Sequence, residues 1–398
     1  MTDFDAIVVG GGVLGAVTAL ELVRRGLRPV VLERGHPGGG ATSASFGIVH
    51  GGLRYLQSLD LLRARRSRRA QRWWSAMLPA RIRSVDCTMP LYRRTLRSPL
   101  VFRAAFVLDR AISHGASSPG SRILRPEQVC PQVPLVREGL VAGASWPELL
   151  LVDPQGAVRD LLALVVQRGG TVLAHTAASG SIVEADRVAG VRGKRQGDGM
   201  EVELRAPYTL LCAGAQSRTV ARRMARDDPR LSCAALAFNL RIDVPASMDG
   251  VVAVSPDTGR GRCLFLREDR GSLLAGTWYA GWRDGESPVV GAELIESALV
   301  ELRRCLPQLP LSRHSIIEVM AGLLPDQDGT GRKLRTRDVH VDHGRHGGPQ
   351  GIHSLLGTKL TTAHALAERV TRSILGPATA AGADRGFAAR ADPDPRGH

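Results

Sequence analysis

Gly10, Gly12 and Gly15 lie in the run I-V-V-G-G-G-V-L-G-A-V-T-A-L-E-L-V-R-R-G, and Glu33 follows 18 residues after Gly15 at the end of P-V-V-L-E. These types at this spacing suit the binding of a dinucleotide. Gly10 permits a sharp turn, Gly12 lets the backbone approach a pyrophosphate, and Gly15 lets the next helix pack against the preceding strand. Free N–H groups and the positive dipole end at that helix start hold phosphate oxygens. Glu33 can accept both hydroxyls of an adenosine ribose and would repel a 2′-phosphate. Holding these residues in place requires a strand, a helix and a second strand. The apolar run Ala6 to Val9 and the periodicity of residues 4–35 predict that frame.

The segment after the acid decides which dinucleotide. Gly38-Gly39-Gly40-Ala41-Thr42-Ser43-Ala44-Ser45 is small, polar and flexible, and leads into Ile48-Val49-His50-Gly51-Gly52-Leu53-Arg54-Tyr55-Leu56. A nicotinamide domain would run into another helix here, whereas a flavin protein offers hydroxyls and bare backbone to an isoalloxazine. The stretch A-T-S-A-S-F-G-I-V-H-G-G-L-R-Y-L-Q resembles the flavin-dependent glycerol-3-phosphate dehydrogenase branch of the D-amino-acid-oxidase-like oxidoreductases. The resemblance recurs in order at Asp153 to Gly170, at Leu210 to Ala215, and at Leu355-Leu356-Gly357-Thr358-Lys359-Leu360-Thr361-Thr362.

The resemblance implies an FAD cofactor and an α/β fold with a Rossmann-like FAD-binding domain and an antiparallel-sheet substrate domain. It carries over Arg34, Thr42, Ser43, Ser45, Ala178, Gly214, Gly357, Lys359, Leu360 and Thr361 as cofactor contacts beside Gly10, Gly12, Gly15 and Glu33. It also implies a helix beginning near Lys359 that points its positive end at the flavin pyrimidine edge, stabilising negative charge there on reduction. The chain has three lysines against 50 arginines, so a lysine at this place is not compositional habit.

Oxidising a carbinol or amine by hydride transfer to flavin N5 also requires removal of an O–H or N–H proton. His50 is the candidate base, because imidazole exchanges protons near neutrality; a purely orienting role is the alternative. Arg54 is read as the substrate clamp and Tyr55 as a packing residue. Three departures from the family pattern bear on substrate. Gly47 and Leu324 stand where cations of a phosphate cradle belong, and G-T-W-Y at Gly276 to Tyr279 replaces G-T-T-D. Each lost cation removes a contact worth about 1.5–3 kcal/mol. Trp278, Tyr279 and Leu324 are therefore expected to make an apolar pocket for a secondary alcohol, polyol or amine rather than glycerol 3-phosphate. Arg332 or Arg335 filling the vacated space would restore the family's own reaction, and a catalytically silent flavoprotein gripping an acidic partner is the reading from another class.

The remaining features set bounds. The 398 residues suffice for two domains, expected as 1–85, 153–222 and 318–376 for FAD, 86–152 and 223–317 for substrate, and a disordered tail at 377–398. No apolar run is long enough to span a bilayer, and the early first strand and six scattered cysteines suggest a cytoplasmic protein with reduced thiols. The net charge is +15, and residues 54–103 hold 13 arginines against Asp60 and Asp86. The face Arg63, Arg65, Arg66, Arg68, Arg69 and Arg72 reads as a solvated helix surface. A membrane surface or an acidic carrier protein is the alternative partner, and no nucleic-acid recognition motif accompanies the charge. The electron acceptor is expected to be oxygen or quinone. His340, His343 and His346 with Asp338 and Asp342 lack zinc-module spacing and are read as a solvated hairpin loop, with no metal.

Overall fold

The computed structural model describes residues 3–57, 60–93, 98–112, 120–129, 131, 133–245, 248–256 and 262–376. The expected tail at 377–398 lies outside them, as does the side chain of Arg54.

The chain opens as β1 (Ala6–Val9), α1 (Val13–Val23) and β2 (Pro29–Leu32). Tyr208–Leu211 and Ile352–Leu356 extend the sheet in parallel on the other side of β1, Thr171–Leu173 pairs with β2, and Val339–Asp342 adds an antiparallel edge. Both faces of this six-stranded sheet are covered, which explains its nearly continuous apolar strands. Ala6 and Val8 point to a layer formed by α1, Pro154–Gln167 and Ala363–Leu375. Ile7 and Val9 point the opposite way, into a cluster with Val188, Val191, Leu204 and Met224 beneath a three-stranded sheet.

The second sheet has the strand order Ile316–Asp326, Cys233–Pro245, Ser272–Gly281, Leu264–Asp269, Val251–Val254, Ile82–Tyr92, Leu140–Leu151 and Ile48–Val49, with Arg122–Leu124 also on Leu140–Leu151. One correction to the expected antiparallel sheet is that Val251–Val254 runs parallel to Ile82–Tyr92. The expected boundaries at 85/86 and 318 fall inside strands of this sheet, because hydrogen-bonded pairing continues through both positions. One face of the sheet packs Phe238, Leu240 and Trp278 against Ala292–Cys305. The other carries Met320 and Phe265 toward Phe46 and Ile48.

Candidate active site

The glycine turn takes the expected form. Gly10 has φ +107°, and a side chain there would meet Cys212 O at 2.6 Å. A Cβ on Gly15 would lie 1.8 Å from Gly10 O, so only hydrogen allows α1 to cross this close to β1. Gly12 is the N-cap of α1, and Thr42 Oγ1 accepts the Val13 N–H at 3.1 Å, tying the small-residue segment to the helix start. Glu33 accepts the N–H groups of Gly11 at 2.7 Å and Gly35 at 2.8 Å. Its carboxylate is thus fixed at the mouth of the turn with acceptor capacity to spare for hydroxyls. Ser45 Oγ is buried without a partner among the described residues, whereas Ser43 Oγ is satisfied by the carbonyls of Gly39 and Gly40. A glycine cradle, a fixed acid and an unpartnered buried hydroxyl fit a dinucleotide with a further polar group beyond its pyrophosphate.

The other expected cofactor residues spread around this turn. Gly214 opens a short turn after Tyr208–Leu211 with φ +59°. Ala178 lies on Thr176–Glu184 at the edge of the buried cluster under β1, and Arg34 is exposed. Gly357 lies beside α1, where an added Cβ would touch Leu14 at 3.4 Å, and Leu360 packs on the same layer. The helix expected near Lys359 begins instead at Ala363, because Leu360–Thr362 form a turn in which Leu360 O accepts the Ala363 N–H. Lys359 therefore precedes the helix. Its ammonium contacts the Tyr55 hydroxyl and lies 4.7 Å from the centre of that ring, so Tyr55 engages the lysine as well as packing.

His50 stands where the two sheets meet. Its backbone N–H donates to Thr361 Oγ1 at 3.3 Å, its ring lies 5.8 Å from that of Phe265, and its side chain is 47% exposed. Its Nδ1 is 3.7 Å from Glu148 Oε1. Glu148, 4% exposed, was not singled out from sequence. Its Oε2 accepts the Gly51 N–H at 2.6 Å and Gln71 Nε2 at 3.1 Å, and its Oε1 accepts Trp146 Nε1 at 3.0 Å. A Cβ on Gly51 would lie 2.9 Å from Gln71 Oε1, so a side chain there would displace the Gln71 amide that also holds Glu148. The available signal was a single acid inside the otherwise apolar strand end S-W-P-E-L-L-L.

Two expectations about the pocket change. Gly47 is not a lost cation: its φ is +80° and a Cβ would lie 2.5 Å from Leu151 O, so the backbone itself demands glycine. Trp278 does not line the pocket. It is buried against Phe238 and donates from Nε1 to Glu301 at 3.1 Å, on the side of Ala292–Cys305. Tyr279 and Leu324 do share the opposite face, since a Cβ on neighbouring Gly322 would lie 2.8 Å from Ala41 Cα and alternation places Leu324 alongside it. Asn239, also missed from sequence, fastens that face by donating to Ala44 O at 2.7 Å and accepting from Thr277 Oγ1 at 2.8 Å. Arg335 returns beside Leu324: its N–H donates to Pro325 O at 2.9 Å, and its Nε is buried without a partner among the described residues.

The histidine group also departs from expectation. His343 is buried and its Nε2 lies 2.8 Å from Ser354 Oγ, while His340 lies on Val339–Asp342 with Nε2 3.4 Å from His353 Nδ1. Burial lowers the pKa of His340 and His343 and pushes His353 down to about 4. His340 and His343 are thus packing imidazoles, whereas His346 is exposed in the turn that joins Val339–Asp342 to its antiparallel partner Ile352–Leu356, the hairpin expected from sequence. No cluster suited to a metal occurs among the described residues. In the Arg63–Arg72 face, Arg63, Arg68 and Arg69 pair with Asp60, Asp109 and Glu368, while Arg65, Arg66 and Arg72 are exposed. The five described cysteines are free, and no described helix is long and apolar enough to cross a membrane.

A doubly covered sheet with a glycine turn at β1, joined to a large sheet that carries His50 at its margin, is the frame of a dinucleotide-binding protein. The sequence matches the family described as FAD dependent oxidoreductase over residues 5–372, and the chain belongs to that family. Among curated relatives, it is 24% identical over 375 residues to a glycerol-3-phosphate dehydrogenase of Mycobacterium leprae, covering 92% of this chain and 62% of that protein. The chain thus spans less than two thirds of that relative's length. Its fold is similar to that of the glycerol-3-phosphate dehydrogenase from Bacillus halodurans complexed with FAD, with TM-score 0.70 and 20% identity over 96% of this chain and 67% of that one. It is also similar to that of L-proline dehydrogenase from P. horikoshii, with TM-score 0.68 and 16% identity over 95% of each chain.

Proposed function

We propose that this chain oxidises a secondary alcohol, polyol or amine and passes the electrons to oxygen or a quinone. When bound, FAD supplies the two-electron acceptor; Gly10, Gly12, Gly15, Glu33, Thr42 and Ser45 would hold it. The observation that carries the reading is the position of His50, half-exposed between the sheets and pinned by its backbone to Thr361. A histidine there takes the O–H or N–H proton as the adjacent carbon is oxidised. Lys359 beside Tyr55 supplies positive charge at the rim, and Arg54 is assigned to anchor the substrate. Tyr279 and Leu324, on the sheet face that Gly322 turns to Ala41, favour an uncharged over a phosphorylated group. Arg65, Arg66 and Arg72 are the part of the arginine face open to an anionic partner.

Arg335 favours a second reading, in which its partnerless Nε beside Leu324 belongs to an anion site and the substrate is glycerol 3-phosphate. Anaerobic bleaching of the flavin band separates the two. The first reading expects reduction by an alcohol or amine, slowed about 10²-fold or more in His50→Ala and unaffected in Arg335→Ala. Fast reduction by glycerol 3-phosphate that collapses in Arg335→Ala would establish the second. Unchanged reduction in His50→Ala would remove the base.

A further inference from the structure

Glu148 is a buried charge that the reaction as described does not use. It lies on Leu140–Leu151, in the second sheet, and among the described residues its oxygens meet three N–H donors. That surround suits a carboxylate, since hydrogen bonds to an ionised oxygen are stronger than those to a neutral carboxyl. Its free direction faces His50 Nδ1 at 3.7 Å. The other charged groups bordering the pair are already committed. Arg68 pairs with Asp109, Lys359 contacts Tyr55, and Arg267 pairs with Asp269 while lying over the Phe46 ring.

We propose that Glu148 is the positioning residue for His50, biasing the ring proton to Nδ1 and leaving Nε2 free to face the substrate. At 3.7 Å the contact is a charge interaction rather than a hydrogen bond, so it acts by favouring the ring orientation and tautomer that turn an N–H toward the carboxylate. The carboxylate cannot drift, because Gly51, Gln71 and Trp146 hold both oxygens. The ring's backbone is held from the other side by Thr361. In the oxidation, the substrate carbon gives up its hydride with two electrons to FAD, and the hydroxyl or amine proton goes to Nε2, leaving a carbonyl or imine. Glu148 then faces the resulting imidazolium without itself gaining a proton. The inference rests on His50 as base, but its test does not.

The test is a pH titration of the FAD-loaded full-length protein carrying ¹⁵N-labelled histidine, with His50 assigned by its absence in His50→Ala. In Glu148→Gln the excess of the Nδ1–H over the Nε2–H form of the neutral His50 ring should fall about three- to tenfold. Glu148→Asp keeps the charge at a longer reach and should retain part of that excess. If Glu148→Gln does not load flavin, a partial fall in Glu148→Asp carries the test. A His50 tautomer ratio identical to wild type in whichever variant folds would overturn the proposal. Substrate reduction that survives His50→Ala, with the tautomer change in the Glu148 variants intact, would instead remove the base reading and leave the coupling standing.

Discussion

In the dinucleotide turn, Gly11 reaches its partner Glu33 across 22 residues of chain and Val13 reaches Thr42 across 29. In the cluster around His50, Gly51 reaches Glu148 across 97 residues and His50 reaches Thr361 across 311. The first region is specified by backbone space, so its residues are glycines and its pattern is local. The second is specified by side-chain reach between sheets, so its members are scattered and each is ordinary in its own segment. A cradle made from missing side chains fails abruptly when one is added, whereas a cluster made from contacts fails in proportion to the contact removed.

The largest expected effect tests that abruptness. Gly15→Val places atoms on Gly10 O, where even a Cβ would stand at 1.8 Å, so the purified protein should emerge without flavin colour. A fully yellow variant would show that the turn has room it does not display. Smaller in effect, Gly47→Lys asks whether the second region has a glycine of the first kind. The positive φ and the nearby Leu151 carbonyl predict destabilisation of about 1–3 kcal/mol, read as a lower thermal midpoint, with no gain in affinity for phosphorylated substrates. An unchanged midpoint with new phosphate binding would return position 47 to the role of a lost cation. Trp278→Phe should do least. It removes the bond to Glu301, worth about 1 kcal/mol, and leaves flavin reduction rates as they were. A changed substrate preference would place that ring in the pocket after all.

The same contrast governs what the sequence makes legible. The frame of β1, α1 and β2 is written in apolar periodicity and glycine spacing, and it folds as read. The helices Leu61–Met77, Pro154–Gln167 and Ala292–Cys305 likewise follow their amphipathic patterns. The start of Ala363–Leu375 was misplaced because Leu360 to Thr362 form a tight turn with the same composition as a first helical turn. Trp278 was assigned to the wrong face because aromatic character does not say which side of a strand it occupies; that depends on register with Phe238. Glu148 was invisible for a related reason. A lone acid in an apolar strand acquires meaning only when pairing with Ile48–Val49 brings it under His50.

The segment between Glu33 and His50 has a mechanical consequence. Gly38 N–H donates to Gly11 O at 2.9 Å, Leu151 N–H to Gly47 O at 2.8 Å, and Asn239 Nδ2 to Ala44 O at 2.7 Å. The chain is thus stitched to the cofactor turn at one end and to the large sheet at several points along its length. The two halves cannot part like a clamshell without tearing those stitches in sequence.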